Sequence, residues 1–162
     1  MSDDQPPITG PEPHWRDDGT LVSSRFEDVY FSQDGGLDET RHVFLDGCGL
    51  PARWQGRRHF TLAETGFGTG LNMLAAWQAF RDNPGACEQL DLISVEAYPL
   101  TKSDLTRALE PWDELGESRH HLLAQYPPLE PGIHRLVFDE GRVRLTLIFG
   151  EAAAMFANLM AR

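Results

Sequence analysis

The chain has 162 residues, the length of about one average domain. Its 14 Lys and Arg against 25 Asp and Glu leave a net charge of −11, while 41% of residues are hydrophobic and 24% charged. That balance supports a folded core rather than wholesale disorder and excludes a protein that holds nucleic acid by overall charge, although a local basic surface stays open. No stretch approaches the roughly 20 apolar residues of a spanning helix. Met1-Ser2-Asp3-Asp4 also lacks the basic start and apolar run of a signal peptide. A soluble, cytoplasmic protein without membrane contact is expected. Cys48 and Cys87 lie far apart, and the six histidines have no ligand spacing, so neither a metal centre nor a disulfide scaffold is indicated.

Four of the eleven prolines fall in residues 1–13, which read as a flexible leader. After Trp15, Asp17-Asp18-Gly19 is a turn, and alternation from Leu21 to Phe31 predicts a short hairpin or extended segment. Residues 37–46 read as a helix with Leu37, Thr40, Val43 and Phe44 on one face, stopped by Gly47 and Gly49. His59 to Glu64 is a buried strand, Thr65 to Gly70 a glycine-rich turn, and Leu71 to Arg81 a helix ended by Asn83-Pro84-Gly85. Asp91 to Glu96 is a second strand. Thr101 caps a helix to about Leu109, with Asp104 completing a capping-box-like start. A helix over 113–126, strands over 133–138 and 142–149 across the turn Asp139-Glu140-Gly141, and a helix opening at Glu151 complete the order. Strand and helix alternating at this spacing predict an α/β fold with a parallel sheet.

The segment Glu64-Thr-Gly66-Phe-Gly68-Thr-Gly70 joins a strand to a helix, where glycines let a ligand approach the backbone and a helix N-terminus offers free amides. A phosphate loop needs a Lys after its last glycine, and Leu71-Asn72 stands there instead. A dinucleotide fingerprint needs glycine at its sixth place, which is Leu71. An acid followed by G-x-G-x-G is the pattern of an S-adenosylmethionine site, in which glycines admit the amino-acid and ribose portions of the cofactor. Glu96, ending the next strand, can accept both ribose hydroxyls, and by position alone is equally an ordinary solvated strand end. Glu151 is a third candidate, at the height of the adenine, and is equally a helix N-terminal acid favoured by the dipole.

Arg25-Phe-Glu-Asp28-Val-Tyr30-Phe31-Ser32, Gly36-Leu-Asp-Glu-Thr-Arg41-His-Val-Phe-Leu45, Glu64 to Asn72 and Asp139-Glu-Gly-Arg-Val143 closely resemble the methyltransferase half of a bacterial bifunctional enzyme. That enzyme makes 5-methylaminomethyl-2-thiouridine in tRNA, and the resemblance runs in register from about His14 to Gly150. It implies a class I, Rossmann-like S-adenosylmethionine-dependent methyltransferase fold. It also implies methyl transfer to the aminomethyl group of the wobble 5-aminomethyl-2-thiouridine, in the anticodon loop of certain tRNAs. In the family a C-terminal FAD-dependent oxidoreductase domain produces that amine. Carried over by position, the cofactor residues are Glu64, Gly66, Gly68, Gly70, Glu96 and Glu151, with Tyr30 and Asn72 in matching motifs. Tyr30 is equally a core aromatic.

Two departures from the family stand out. The strand with an Asp-Gly-Phe-Ala-Pro type motif near the acceptor, and the rest of the sheet beyond it, are missing here, as is the FAD domain. The chain therefore reads as a C-terminally truncated piece with only the N-terminal part of the sheet: a leader (1–13), an extension (14–58) and a partial S-adenosylmethionine-binding domain (59–162). An inactive S-adenosylmethionine-binding fragment and a Rossmann-like nucleotide-binding oxidoreductase module are the alternatives. No catalytic base is identified; His120, His121 and His134 read as surface or helix residues. Arg53, Arg57 and Arg58 read as a solvated loop, with contact to tRNA phosphates the other reading.

Overall fold

The computed structural model describes residues 8, 10–25, 27–30, 36–83 and 85–151. Strands β1 (Pro13–Trp15), β2 (Leu21–Ser23) and β3 (Asp28–Val29) form an antiparallel ribbon in that order. The expected turn joins the first two: the Thr20 amide donates to Asp18 Oδ1 at 2.9 Å, and Gly19 takes φ 82°. The ribbon is anchored by Leu21, which is fully buried. Ile8, from the proline-rich start, packs against the same core.

The second sheet has the order β4–β5–β7–β6, from β4 (His59–Thr65), β5 (Gln89–Glu96), β6 (Gly132–Phe138) and β7 (Val143–Phe149). Strands β4, β5 and β7 run parallel. Helix α2 (Leu71–Asp82) makes the crossover that the parallel pair β4–β5 requires, and α3 (Lys102–Leu109) and α4 (Gly116–Gln125) fill the connection from β5 to β6. Strand β6 is antiparallel to β7, so the sheet is mixed rather than wholly parallel. The three-residue turn Asp139–Gly141 is too short for a crossover and simply reverses the chain.

Alternation along the strands sends Phe60, Leu62, Leu90, Leu92, Leu145 and Leu147 into one cluster with Leu74, Trp77 and Phe80 of α2 and Leu105 and Leu109 of α3. Each such side chain contributes about 1.5–3 kcal/mol relative to exposure, so this interface sets where the strand ends fall. The predicted cap of α3 is present: Thr101 Oγ1 accepts the Asp104 amide at 3.1 Å, a contact worth about 1 kcal/mol.

Two predicted helices differ in detail. Helix α1 (Gly36–Thr40) runs into a π-helix, Arg41–Leu45, in which the Asp46 amide reaches back five residues to the Arg41 carbonyl. The wider turn rotates Val43 outward, 67% exposed, and buries Leu45. Of the expected face only Leu37 is buried, with Phe44 half-buried against the core. The helix expected over 113–126 opens as a 3₁₀ turn, Asp113–Leu115, and Gly116 at φ 39° starts α4. Past Glu151 itself, the helix expected at the C-terminal end lies outside the described residues. Among the described residues no helix is long and apolar enough to cross a membrane.

The β6–β7 turn is clamped to α2. Asp139, at φ 49°, accepts from Trp77 Nε1 at 2.6 Å, Arg81 Nε at 2.8 Å and Arg81 Nη2 at 2.6 Å. Hydrogen bonds from Arg81 hold its carboxyl below the ordinary value of 3.8. Asp139→Ala is expected to lower unfolding stability by about 2 kcal/mol, measured as a shift of the urea midpoint. Because the carboxyl is depressed on folding, the contribution is present above pH 3.8 and fades as pH falls below it. An unchanged midpoint at pH 7 would contradict the clamp.

Candidate functional site

Strands β4 and β5 end side by side, Thr65 opposite Val95, which brings Glu64, Glu96 and the glycine turn to one end of the sheet. The turn takes φ 88° at Gly66, 54° at Gly68 and 73° at Gly70. A Cβ on Gly70 would sit 2.6 Å from the Phe67 ring. Phe67 is buried and stacked on Tyr126, so a side chain at 70 would displace the ring that supports the turn. Gly66 is the opposite case: a Cβ there meets nothing within 4 Å. Its surface is open to close approach by a ligand.

Glu96 ties this turn to β5. Its Oε2 accepts the Gly68 amide at 2.9 Å and its Oε1 the Tyr98 amide at 2.8 Å. Backbone bonds hold the same edge, from the Gly66 amide to the Val95 carbonyl at 2.7 Å and from the Gly150 amide to the Glu96 carbonyl at 2.9 Å. Each carboxylate oxygen has a second lone pair beyond the one its amide uses. The carboxylate lines a cleft of about 290 Å³ with Ser23, Val29, Tyr30, Gly66, Gly68 and Tyr98. The N-terminal ribbon thus supplies one wall, with the Tyr30 ring 3.6 Å from where a Gly68 Cβ would stand. Burial first, and then the nearby Glu96 charge, push the Tyr30 hydroxyl up to about 12, so it remains a neutral hydrogen-bonding group.

Glu64 lies deeper. Its Oε2 accepts from Asn72 Nδ2 and its Oε1 from Ser94 Oγ, both at 2.9 Å. Burial raises its carboxyl to about 7, with the Asn72 and Ser94 bonds pulling it down and the Glu96 charge pushing it up. The site therefore sets a carboxyl poised between its two states close to one held by backbone amides. A second hollow, about 550 Å³, lies against the same turn and includes Tyr30, Phe44, Gly66, Gly68, Thr69 and Asn72 in its lining.

Seven of the eight predicted residues, Tyr30, Glu64, Gly66, Gly68, Gly70, Asn72 and Glu96, meet in this way. Glu151 is exposed, two residues beyond the end of β7, and β7 itself ends beside β5, with Phe149 opposite Glu96. Sequence reasoning missed Ser94, Tyr98 and Ser23. Ser94 carried a signal, a hydroxyl at an inward position of a buried strand, where it needs a partner. Tyr98 and Ser23 had none, since one acts through its backbone amide and the other reaches the cleft only by docking of the ribbon. The histidines stand apart from the cleft: His120 and His121 are exposed on α4, and a His134 ring nitrogen is 2.8 Å from the Glu130 carbonyl.

The raised Glu64 carboxyl has a linkage consequence. Between its ordinary value of 4.5 and about 7 the folded chain binds more protons than the unfolded one, so stability falls as pH rises through that window and then levels. Glu64→Gln is expected to flatten this slope, read from urea midpoints at pH 4.5 to 8. A variant slope equal to that of the parent chain would contradict the assignment.

A mixed α/β sheet with a cleft at the C-terminal ends of its parallel strands is a Rossmann-like arrangement. A solved structure, that of MNMC2 from Aquifex aeolicus, has the same fold, with a TM-score of 0.63 and 22% identity over 92% of this chain and 45% of that one. No protein-family model matches the chain. It is 51% identical over 151 residues to the tRNA 5-methylaminomethyl-2-thiouridine biosynthesis bifunctional protein MnmC of Burkholderia multivorans, covering 91% of this chain and 23% of that protein. It is 50% identical over 143 residues to the MnmC protein of Aromatoleum aromaticum, covering 88% of the chain and 22% of the relative. The chain is thus homologous to one segment of the bifunctional MnmC proteins, the family its motifs resemble, and spans less than a quarter of the length of these relatives.

Proposed function

We propose that this chain binds S-adenosylmethionine in the cleft beneath Tyr30 and forms the cofactor-binding part of a methyltransferase. The acceptor in this reading is the aminomethyl group of the wobble 5-aminomethyl-2-thiouridine of tRNA. The observation that carries the cofactor reading is the Glu96 carboxylate, fixed at the end of β5 by the Gly68 and Tyr98 amides beside an open Gly66. The donor set fits the cofactor: Glu96 has acceptor capacity for two vicinal ribose hydroxyls, and the space at Gly66 is what a closely approaching ligand needs. Asn72 holds Glu64 in place, Tyr30 closes the wall, and Glu151 is the third acceptor proposed. When bound, S-adenosylmethionine supplies a methyl group on a positively charged sulfur.

Positive charge near Glu64 would draw its carboxyl to the ionised form, so binding is expected to tighten as pH rises from 6 to 8. The protein's main contribution to transfer is positioning, since a held geometry can supply about 7–11 kcal/mol. The acceptor amine must be neutral to react, and no described side chain is assigned as its base. The tRNA assignment is supported by the names of the relatives. A dinucleotide is disfavoured by Leu71, which is buried in the core where the fingerprint has its third glycine.

Calorimetry tests the cofactor. Binding of S-adenosylmethionine is expected, with at least a tenfold weaker affinity in Glu96→Ala and no comparable heat from NAD. Clear NAD binding without S-adenosylmethionine binding would overturn the reading.

A further inference from the structure

At the end of the sheet away from the cleft, four arginines gather. Arg57 and Arg58 precede β4, Arg142 precedes β7, and Arg53 lies in the 3₁₀ turn Ala52–Trp54. The backbones of Arg57, Arg58 and Arg142 are joined through the start of β5. The Glu88 amide donates to the Arg57 carbonyl at 3.2 Å, the Gln89 amide to Arg58 at 3.0 Å and the Leu90 amide to Arg142 at 2.8 Å. The side chains of Arg53, Arg57 and Arg142 share an aromatic floor. The Arg53 and Arg57 guanidiniums lie 5.6 and 6.0 Å from the Phe60 ring centre and that of Arg142 4.9 Å from Phe80, while Trp54 meets both rings edge-on.

All four arginines are exposed. Arg53 Nη1 donates to the Cys48 carbonyl at 2.9 Å and Arg142 Nε to the Glu88 carbonyl at 3.4 Å, both neutral partners, and among the described residues neither guanidinium forms an ion pair. The Glu88 carboxylate meets Arg58 at 3.6 Å. A chain of net charge −11 has thus collected four of its 14 basic residues on one short edge.

We propose that this arginine edge binds backbone phosphates of RNA. The choice of RNA rests on the tRNA reading above. An acidic protein repels a polyanion at long range, so contact must be concentrated where cations cluster. Arginine is the side chain suited to it, because its planar fork pairs with two phosphate oxygens at once, and rings beneath the guanidiniums limit the freedom lost on binding. Strand β4 is seven residues long, so the edge lies about 20 Å from the glycine turn at the other end of that strand. At that distance it would position an RNA without reading the base placed in the cleft.

The test is fluorescence anisotropy of a labelled, unmodified tRNA titrated at several salt concentrations. The parent chain is expected to bind. Arg53→Gln/Arg57→Gln/Arg58→Gln is expected to weaken binding at least tenfold at the lowest salt and to reduce the log–log salt slope by about 2–3. Arg58→Gln alone, whose partner is a surface carboxylate, is expected to reduce the slope by about 1 with an unchanged melting temperature. Arg135→Gln, exposed on β6, is expected to match the parent. Wild-type affinity and slope in both arginine-edge variants, or no tRNA binding by the parent chain, would overturn the proposal. So would a loss confined to phosphatidylserine vesicles with tRNA binding intact. Heat of S-adenosylmethionine binding is expected to be the same in all variants, so the cofactor reading stands or falls separately.

Discussion

The Glu96 carboxylate is the contact on which the site depends. A strand, a turn and a helix N-terminus can be brought to one place by the sheet alone, but nothing in strand pairing dictates how the turn lies across the strand ends. The two amide bonds to Glu96 do that, since they fix Gly68 and Tyr98 to one anion. Hydrogen bonds to a charged acceptor are about twice as strong as neutral ones. Each is made by backbone, so the geometry does not rest on a rotatable side-chain donor. The cleft is therefore set by the fold before any ligand enters.

The two acids near the strand ends differ in surroundings. Glu96 sits at the rim with amides pointing at both oxygens. Glu64, one strand over, is held by an amide side chain and a hydroxyl in a drier place, and burial outweighs those bonds, leaving its carboxyl near 7. One anion shapes the turn, and the other can respond to charge brought into the cleft. The N-terminal ribbon completes the arrangement. Trp15 Nε1 donates to Asp104 Oδ1 at 3.3 Å and the Arg107 guanidinium lies 4.1 Å over the same indole, contacts that seat the ribbon on α3. The Tyr30 wall thus depends on the same helix that follows Glu96.

Much of this was legible in the sequence because it follows from local rules. Strand, glycine turn and helix have distinct periodicities, and Thr101 with Asp104 is a cap signature that the structure reproduces. Glu64 and Glu96 were legible as a pair because each lies at the C-terminal end of a strand that the sequence pattern marks. What stayed hidden was set by tertiary packing. The π-helix that turns Val43 outward has no local signal, as its extra residue per turn is stabilised only where Leu45 meets the core. The Tyr98 amide and Ser23 enter the cleft through chain geometry rather than residue type. The alternation of strand and helix predicted a parallel sheet, and the antiparallel edge at β6 departs from it because the Asp139–Gly141 turn is too short for a crossover. The clamp of Asp139 on Trp77 and Arg81 joins residues about 60 positions apart.

Hydrogen–deuterium exchange with and without S-adenosylmethionine tests whether Glu96 and the glycine turn together form a cofactor cradle. The cofactor is expected to slow exchange at the amides of residues 66–70 and 96–98 in the parent chain, and Glu96→Ala to abolish this protection while leaving the strands of the second sheet protected. Protection appearing elsewhere, or persisting at the turn in Glu96→Ala, would contradict it.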